Sequence, residues 1–331
     1  MPEMPQMQAL SERIEATFAG AAVVRLDIIG FSTLKTVLPS PADLAGATLV
    51  GAGRRAKYLV LRFLPATSRE APPGRGDVRE SSRAAVEPGT ADRAELDRAH
   101  RADKDASSSR SAGSREAELR LLVHLGNAGR LDIEEPARST QPRGALARLT
   151  FADARAFLVR EYGTQRKAGL WVLAAGDEGP LASLGPEVDD DRFAETLLRD
   201  DSNRQVHTLL RDQHVIAGIG RGYADDALNL AGVSPFASLR SLDEQSRRRL
   251  VEAVRAVIAA GLGSERGRSG GLSATSLGGA FAVHNRAGLP CPRCATTLQR
   301  VAFDSHEVVY CPLCQTKGKV LADRRMSRLL R

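Results

Sequence analysis

Short apolar runs set between polar residues dominate the first half of the chain. Two of these runs occupy residues 54–63 and 119–126, and others follow at 147–151 and 156–159. Short apolar runs bounded by polar residues are typical of β-strands. The pattern therefore predicts a β-rich N-terminal domain that extends to about Gly185, with a sandwich or a barrel as its core.

Residues 66–117 separate the first two runs and differ from them in composition. This stretch is rich in Ser, Arg, Asp, Glu, Ala, Gly and Pro and has no aromatic residue and almost no large aliphatic residue. Such a segment cannot bury enough apolar surface to order itself. We expect a disordered insertion that replaces a hairpin turn between two strands.

Beyond residues 184–187 the apolar residues follow a period near 3.6, which predicts a separate helical domain. The residues that carry this period are Phe193, Leu197 and Leu198; Val206, Leu209 and Leu210; and Leu250, Val254, Val257 and Ile258.

Three glycines, Gly218, Gly220 and Gly222, lie between these helical segments. Glycines leave backbone N–H groups unobstructed at the start of a helix, a geometry that suits a phosphate. Glycines at a helix entry are as often simple turn residues, and this alternative stays open.

The charge of the chain indicates a polyanionic partner. The 331 residues carry a formal net charge of +7, with arginine more frequent than lysine. Nucleic acid is the leading candidate. A GC-rich genome, which raises the content of arginine and alanine everywhere, would give the same balance. No run of about eighteen apolar residues offers a membrane span.

All four cysteines of the chain belong to two CxxC pairs, Cys291 with Cys294 and Cys311 with Cys314. This spacing predicts a single structural Zn²⁺ with a closed tetrahedral shell of four thiolates. Two disulfides in an exported protein are the alternative, but they need a secretory segment, which residues 1–6 do not resemble. We expect a reducing, cytoplasmic setting.

Taken together, the order and spacing of several motifs resemble the formamidopyrimidine-DNA glycosylase and endonuclease VIII family. The resemblance rests on residues 1–3 with Pro5, 54–59, 124–126, 184–187, 217–220 with 223–225, 283–286, and the four cysteines. The resemblance implies an α+β multidomain fold. Its parts are an N-terminal β-sandwich with flanking helices (1–185), a helix-two-turn-helix domain (186–280), a zinc finger (281–316) and a basic tail (317–331).

The resemblance also implies a chemistry at the N-terminus. Once Met1 is removed, Pro2 carries a secondary amine whose ordinary pKa of roughly 8 leaves a neutral, nucleophilic fraction near pH 7. In the family this amine attacks C1′ of the damaged nucleoside and drives β and δ eliminations. Glu3 protonates the sugar ring oxygen. An ordinary N-terminal residue is the plain alternative for Pro2.

Several residues are expected to bind DNA by their position in the family. Lys57, which we place on a strand with Arg55 on the same face, is catalytic and contacts the phosphate next to the lesion. A solvated strand edge is the alternative for Lys57. His124 and Arg221 contact the same phosphate backbone. The remaining expected DNA-binding residues are Asn127, Arg166, Gly220, Tyr223 and His306.

Some of these positions depart from the family pattern. Asn127 stands where a methionine is usual, and residues 164–169 replace the usual turn, so that only Arg166 survives of the intercalating trio. Such a wedge normally offsets the few kcal/mol lost on unstacking a duplex. Abasic, single-stranded or already distorted DNA needs less unstacking, so the altered wedge would matter less for these substrates.

Other departures concern the phosphate contacts and the choice of base. Gln6 replaces the common glutamate, Arg221 replaces an asparagine, and His306 replaces the zinc-finger arginine. Arg221 can still bind phosphate, whereas an imidazole is mostly neutral at pH 7. The stretch 263–280 is short and rich in Gly and Ser compared with the loop that caps oxidised guanine, which puts recognition of 8-oxoguanine in doubt.

We expect a monomeric DNA-repair glycosylase with AP lyase activity on oxidised bases or abasic sites, associated with the nucleoid when bound to DNA. A non-catalytic protein that binds damaged DNA through the helical domain and the zinc finger is one alternative. A zinc-ribbon protein that binds RNA or another protein is a second.

Overall fold

The computed structural model describes residues 2–66, 118–162, 166–268, 281–303 and 306–321. Most of the predicted insertion, most of the Gly- and Ser-rich stretch and most of the basic tail lie outside the described residues, as do Thr164 and Gln165. Within the described part, no helix is both long enough and apolar enough to cross a membrane.

Among the described residues, the N-terminal part contains one α-helix followed by eight strands. These elements are α1 (Met4–Phe18), β1 (Val23–Ile28), β2 (Thr48–Arg55), β3 (Tyr58–Leu64), β4 (Leu119–His124), β5 (Gly129–Glu134), β6 (Ala145–Phe151), β7 (Ala156–Glu161) and β8 (Gly169–Leu173). The strands form two antiparallel sheets, with the orders β1-β6-β7-β5 and β2-β3-β4-β8.

The two sheets pack face to face, which confirms the sandwich. Side chains from both sheets and from α1 share one core, in which Phe18 of α1 packs against the rings of Phe151 and Phe157. Leu61 and Leu121 contribute to this core from the second sheet. β3 alternates buried and more exposed residues because its side chains point to opposite faces of the sheet.

The predicted insertion connects two neighbouring antiparallel strands. β3 pairs with β4 along its length, and Phe63 lies opposite Leu119 at the end where the insertion leaves and returns. Residues 67–117 therefore stand where a hairpin connection would stand, as the pattern predicted.

The expectation of one strand over residues 54–63 is wrong. β2 and β3 form a tight hairpin, in which Arg55 pairs with Tyr58 and Ala56 adopts a left-handed conformation with φ 52°. The backbone N–H of Ala56 donates to the carboxylate of Glu187, which holds this turn in place. Lys57 thus lies in a turn rather than on a strand, and it is buried rather than solvated.

The rest of the chain is a helical unit followed by a small zinc-finger fold. Its helices are α2 (Asp191–Arg199), α3 (Val206–Leu210), α4 (Arg221–Ala231) and α5 (Glu244–Arg266), and the finger comprises β9 (Gln299–Ala302), β10 (Glu307–Tyr310) and α6 (Pro312–Thr316). All three groups of helically spaced apolar residues fall on helices, namely α2, α3 and α5.

Buried polar contacts dock the finger onto α4. The side chain of Asn229 donates to Gln315 at 3.1 Å, and Gln315 donates in turn to the carbonyl of Val233 at 2.9 Å. Asp226 accepts from the backbone N–H groups of residues 282–284. The start of α4 and the finger therefore form one side of a cleft, and the sandwich forms the other.

Candidate active site

Glu3 lies at the junction of the sandwich and the helical unit and is 5% exposed. It caps α1, because its backbone N–H donates to the Gln6 side chain at 3.1 Å. Its carboxylate accepts from the N–H of Gly220 and, at 3.0 Å, from that of Gly222, at the N-terminus of α4. A carboxylate is stabilised at this end of a helix by the helix dipole.

This contact explains the glycines before α4. A Cβ on Gly220 would lie 2.3 Å from the carboxyl carbon of Glu3, and Gly218, with φ +95°, lies against Met4. Only glycine permits so close an approach at both positions. The anion at this helix start is therefore the Glu3 carboxylate. The N–H groups of Gly220 and Gly222 are thus engaged by Glu3, and a contact between Gly220 and DNA stays a prediction.

Lys57 is 4% exposed in the turn between β2 and β3. Burial lowers the pKa of Lys57 to about 8, with a contribution from the charges of Arg211 and Arg221, while the Glu3 carboxylate opposes the shift. The ammonium therefore shares its electrostatic environment with Glu3 and with two arginines of the helical unit. An anion that enters here would raise the pKa of Lys57 and so favour its charged form further.

Glu187 fastens the turn that carries Lys57. Its carboxylate accepts from Arg54, from Arg55 at 2.6 Å and from the backbone N–H of Ala56 at 2.6 Å. Burial alone would raise the pKa of Glu187, but the charges and hydrogen bonds of the two arginines outweigh burial and lower it. The carboxylate is therefore an anchor for the turn at neutral pH.

His124 ends β4 beside this turn, with its ring 4.9 Å from that of Tyr58. Burial lowers the pKa of His124 to about 4, and the charge of Lys57 adds to the shift. The imidazole is therefore neutral at pH 7 and can offer a single N–H to a phosphate.

Asn127 and Arg166 are both exposed, and they occupy two neighbouring loops. Glu161, which is 1% exposed, holds the second loop by accepting from the backbone N–H groups of Lys167 at 2.8 Å and Ala168 at 2.9 Å. Its carboxylate also lies close to Gly126 in the first loop, because a Cβ there would come within 2.8 Å of it. Glu161 therefore fixes both loops at one end of the sandwich.

A cavity of about 360 Å³ opens between these loops and the start of α4. Its lining residues are Glu3, Asn127, Arg221, Phe281, His284, Asn285, His306 and Glu307. It brings four of the predicted site residues together, and the environment of Lys57 adjoins it through Glu3 and Arg221. His306 stacks on Phe303, and burial together with Arg211 and Arg221 lowers its pKa.

Tyr223 does not line this cavity. Its ring is 5% exposed and packs edge-on against Phe281, and its hydroxyl accepts from Gln6 at 3.1 Å. Gln6 also donates to Glu265 near the end of α5. Tyr223 therefore packs behind the cavity and holds Gln6 in place. A contact between the Tyr223 side chain and DNA stays a prediction.

Residue spacing gave no sign of a buried His-Asp-His group beside the cavity. Asp225 of α4 contacts the Nδ1 of His284 at 2.7 Å and the Nε2 of His207 at 3.1 Å. Burial would lower the pKa of His284, but the hydrogen bond and charge of Asp225 outweigh it and raise the pKa. These contacts join α3, α4 and the finger. The three residues are far apart in the chain, so only the fold reveals the group.

The four cysteine sulfurs lie within 4.8 Å of one another, with Cys294 3.4 Å from Cys311 and 3.3 Å from Cys314. Tetrahedral Zn²⁺ with Zn–S bonds of about 2.3 Å needs sulfurs roughly 3.8 Å apart. The arrangement fits one structural Zn²⁺ held by Cys291, Cys294, Cys311 and Cys314, as predicted.

Sequence profiles of known domains match most of the chain. Residues 1–160 match the formamidopyrimidine-DNA glycosylase N-terminal domain, residues 184–271 its H2TH domain, and residues 288–317 the zinc finger found in FPG and IleRS.

Curated relatives extend this similarity. A formamidopyrimidine-DNA glycosylase of Thermus thermophilus is 36% identical over 218 residues, which cover 61% of this chain and 78% of the relative. One of Chloroflexus aggregans is 27% identical over 95% of this chain and 98% of its own length. An uncharacterised formamidopyrimidine-DNA glycosylase-like protein of Mycobacterium tuberculosis is 41% identical over 47% of this chain and 99% of its own length.

Solved structures show the same fold. Lactococcus lactis Fpg in complex with DNA that contains N7-benzyl-Fapy-dG superposes with a TM-score of 0.70 at 19% identity, over 95% of this chain and all of the other. The MutM (Fpg) protein of Thermus thermophilus gives a TM-score of 0.67 at 23% identity, over 96% of this chain and all of the other.

Proposed function

The chain belongs to the formamidopyrimidine-DNA glycosylase family, and from this premise we propose that it is a DNA-repair glycosylase that also cleaves abasic sites as an AP lyase. The observation that carries the proposal is the buried Glu3 carboxylate, held by α4 at the floor of a cavity that Arg221 also lines. A fixed acid that follows Pro2 directly in the chain supports the proposal, because the reaction needs both a proton carrier and a nucleophilic amine.

In the proposed reaction the Pro2 nitrogen, freed by removal of Met1, attacks C1′ of the nucleoside. A C–N bond forms and the bond to the base breaks, so the base leaves with the bonding electrons and takes up a proton. Opening of the sugar ring, assisted by a proton on its ring oxygen, gives an iminium ion. Loss of a C2′ proton then moves electrons toward C3′, where the phosphate departs, and a second elimination releases the other phosphate.

Glu3 is the proposed proton carrier in these steps. Its hydrogen bonds to Gly220 and Gly222 restrict its position, and its link to Gln6 fixes the start of α1 directly after Pro2. Positioning of this kind contributes to catalysis because the reacting groups need not be ordered during the reaction. Glu3→Gln keeps the shape of the side chain and removes its ability to carry the proton.

Lys57, His124, Arg221 and His306 are the proposed contacts to the phosphates around the lesion. Lys57 has a pKa of about 8 in the free protein, so most of it is charged at neutral pH and a phosphate would favour that form further. The neutral imidazole of His124 adds a hydrogen bond and no charge. These contacts position the DNA without reading its sequence.

Abasic sites and oxidised bases are the proposed substrates, in damaged DNA bound by one copy of the chain. Asn127 is exposed and polar, and Ala168 is small and buried, so neither supplies a large apolar group to replace a flipped base. An abasic site requires less unstacking than an intact pair.

The same observation favours a second candidate, a protein that binds damaged DNA without cleaving it. Purified protein, checked by intact mass for removal of Met1, is incubated with abasic and oxidised-base DNA in the presence of borohydride. The proposal predicts a covalent adduct that is lost or slowed in Glu3→Gln. Tight, salt-dependent binding without an adduct on any of these DNAs would instead support the second candidate.

A further inference from the structure

Three apolar side chains stand exposed in the loop that follows β1. Phe31 is 105% exposed, Val37 86% and Leu38 79%, and no large hydrophobic residue in the described ranges is more exposed. Val37 and Leu38 follow Thr36, which accepts from the N–H of Val172 farther along β8, so Phe31 stands apart from them at the start of the loop. A fully exposed aromatic side chain is a candidate contact for another molecule. The feature lies outside the cavity described above, and the proposed chemistry makes no use of it.

The loop is firmly attached to both sheets of the sandwich. The N–H groups of Ile29 and Gly30 donate to the carbonyl of Leu146 in β6 at 2.9 Å. On the other side, the backbone N–H of Lys35 donates to the carbonyl of Leu170 in β8 at 2.8 Å, and the backbone N–H of Leu170 donates to the carbonyl of Thr33 at 2.8 Å. The exposure of Phe31 is therefore built into an anchored loop, which limits the entropy lost when it binds.

The register of this attachment directs Phe31 toward the proposed DNA-binding end. Leu34 pairs with Leu170 in parallel, so the residues before Leu34 run beside those before β8, where Lys167 lies. At the same end of β8, Gly169 pairs with His124. Phe31 thus shares one end of the sandwich with His124, Arg166 and Lys167.

The charge of the loop fits a polyanion. Residues 29–40 contain no acidic residue and one basic residue, Lys35, which is exposed. Arg166 and Lys167, which precede β8, are also exposed. A protein partner would need an apolar surface of its own, whereas the stacked bases of DNA offer apolar faces inside an anionic backbone.

We propose that Phe31 inserts into the base stack of damaged duplex DNA and occupies the gap that opens at the lesion. This inference rests on the proposed function and adds a residue that selects damaged duplexes. Apolar side chains inserted between base steps unstack and kink a duplex, and phenylalanine is among the residues used in this way. Phe31 would supply the apolar surface that Asn127 and Ala168 lack.

The test compares Phe31→Ala with wild type on three DNAs, namely a duplex with a tetrahydrofuran abasic analogue, the intact duplex and the single strand with the same analogue. We expect at least an approximately tenfold loss of affinity for the abasic duplex, the scale of one aromatic contact with a base. Affinity for the other two DNAs should stay within about twofold. Phe31→Trp should restore binding. Val24→Ala, which trims an apolar side chain of β1 that is 48% exposed, is the matched control.

Two results would overturn the inference. One is wild-type affinity of Phe31→Ala for the abasic duplex, which would point instead to a protein partner for the loop. The other is an equal loss on the single strand, where there is no duplex to unstack. Borohydride trapping on single-stranded abasic DNA should be unchanged in the control Val24→Ala. A wild-type protein that gives no adduct would count against the proposed function and would leave the affinity comparison fully informative.

Discussion

Replacing Glu187 by alanine should both destabilise the sandwich and displace Lys57. The carboxylate of Glu187 is the common acceptor for Arg54, Arg55 and the Ala56 N–H. Without it the turn loses its anchor. The Arg54 side chain, which is only 7% exposed, loses its counter-ion as well.

The size of the effect follows from this burial. Removing one partner of a buried ion pair costs about 3–5 kcal/mol because the remaining charge is left uncompensated. The unpaired N–H of Ala56 adds to this on the order of 1 kcal/mol. We therefore expect a loss of about 4–6 kcal/mol in the free energy of unfolding. Arg54→Met should recover part of that loss in the double variant.

Urea unfolding followed through Trp171, the single tryptophan, measures the stability. Trp171 lies on β8, with its ring 5.5 Å from that of Tyr58 in the same sheet. Glu134→Ala is the matched control, because Glu134 and Arg148 form an equally buried pair in the other sheet. Both variants should lose similar stability.

Only the Glu187 variant should bind abasic DNA more weakly and form the borohydride adduct more slowly, under conditions where both variants are folded. A loss of stability below about 1 kcal/mol, or equal adduct rates in the two variants, would refute the anchoring role.

Three further predictions concern protons and metal. His124 has a pKa of about 4 in the folded protein, against an ordinary value of 6.5, so between pH 4 and pH 6.5 the unfolded chain binds one more proton than the folded chain. In this range the free energy of unfolding should fall with acidification by up to about 1.4 kcal/mol per pH unit. Urea titrations of His124→Asn should show a smaller loss. DNA affinity, measured by anisotropy, should fall as the pH rises through about 8 and Lys57 loses its proton, and Lys57→Arg should flatten this dependence. Metal analysis should find one zinc per chain, and Cys311→Ser should lower both zinc content and DNA affinity while leaving the Trp171 unfolding transition in place.

Local patterns were sufficient for the elements whose apolar residues face one core. The periods in α2 and α5, the strands β6 and β7, and the zinc ligands all follow from spacing within a short segment. The insertion was also placed correctly between β3 and β4, because composition alone distinguishes it from the strands on either side.

Contacts between distant parts of the chain could not be predicted in this way. The run 54–63 has the apolar content of one strand, and the turn at Ala56 depends on Glu187, more than a hundred residues away. Likewise Gly220 suggests a phosphate site until the fold brings the Glu3 carboxylate to its N–H. α1 was expected only through the family resemblance, because its short polar and apolar stretches give a weak helical period.

Peptide mapping of the borohydride-trapped complex tests the central claim most directly. After digestion of the DNA and cleavage with trypsin, the sugar-derived mass should lie on the N-terminal nitrogen of the peptide that runs from Pro2 to Arg13. A modified Lys57, which would also block tryptic cleavage at that position, would assign the nucleophile to the turn. The absence of adduct from any peptide, in protein shown to bind abasic DNA, would contradict the account.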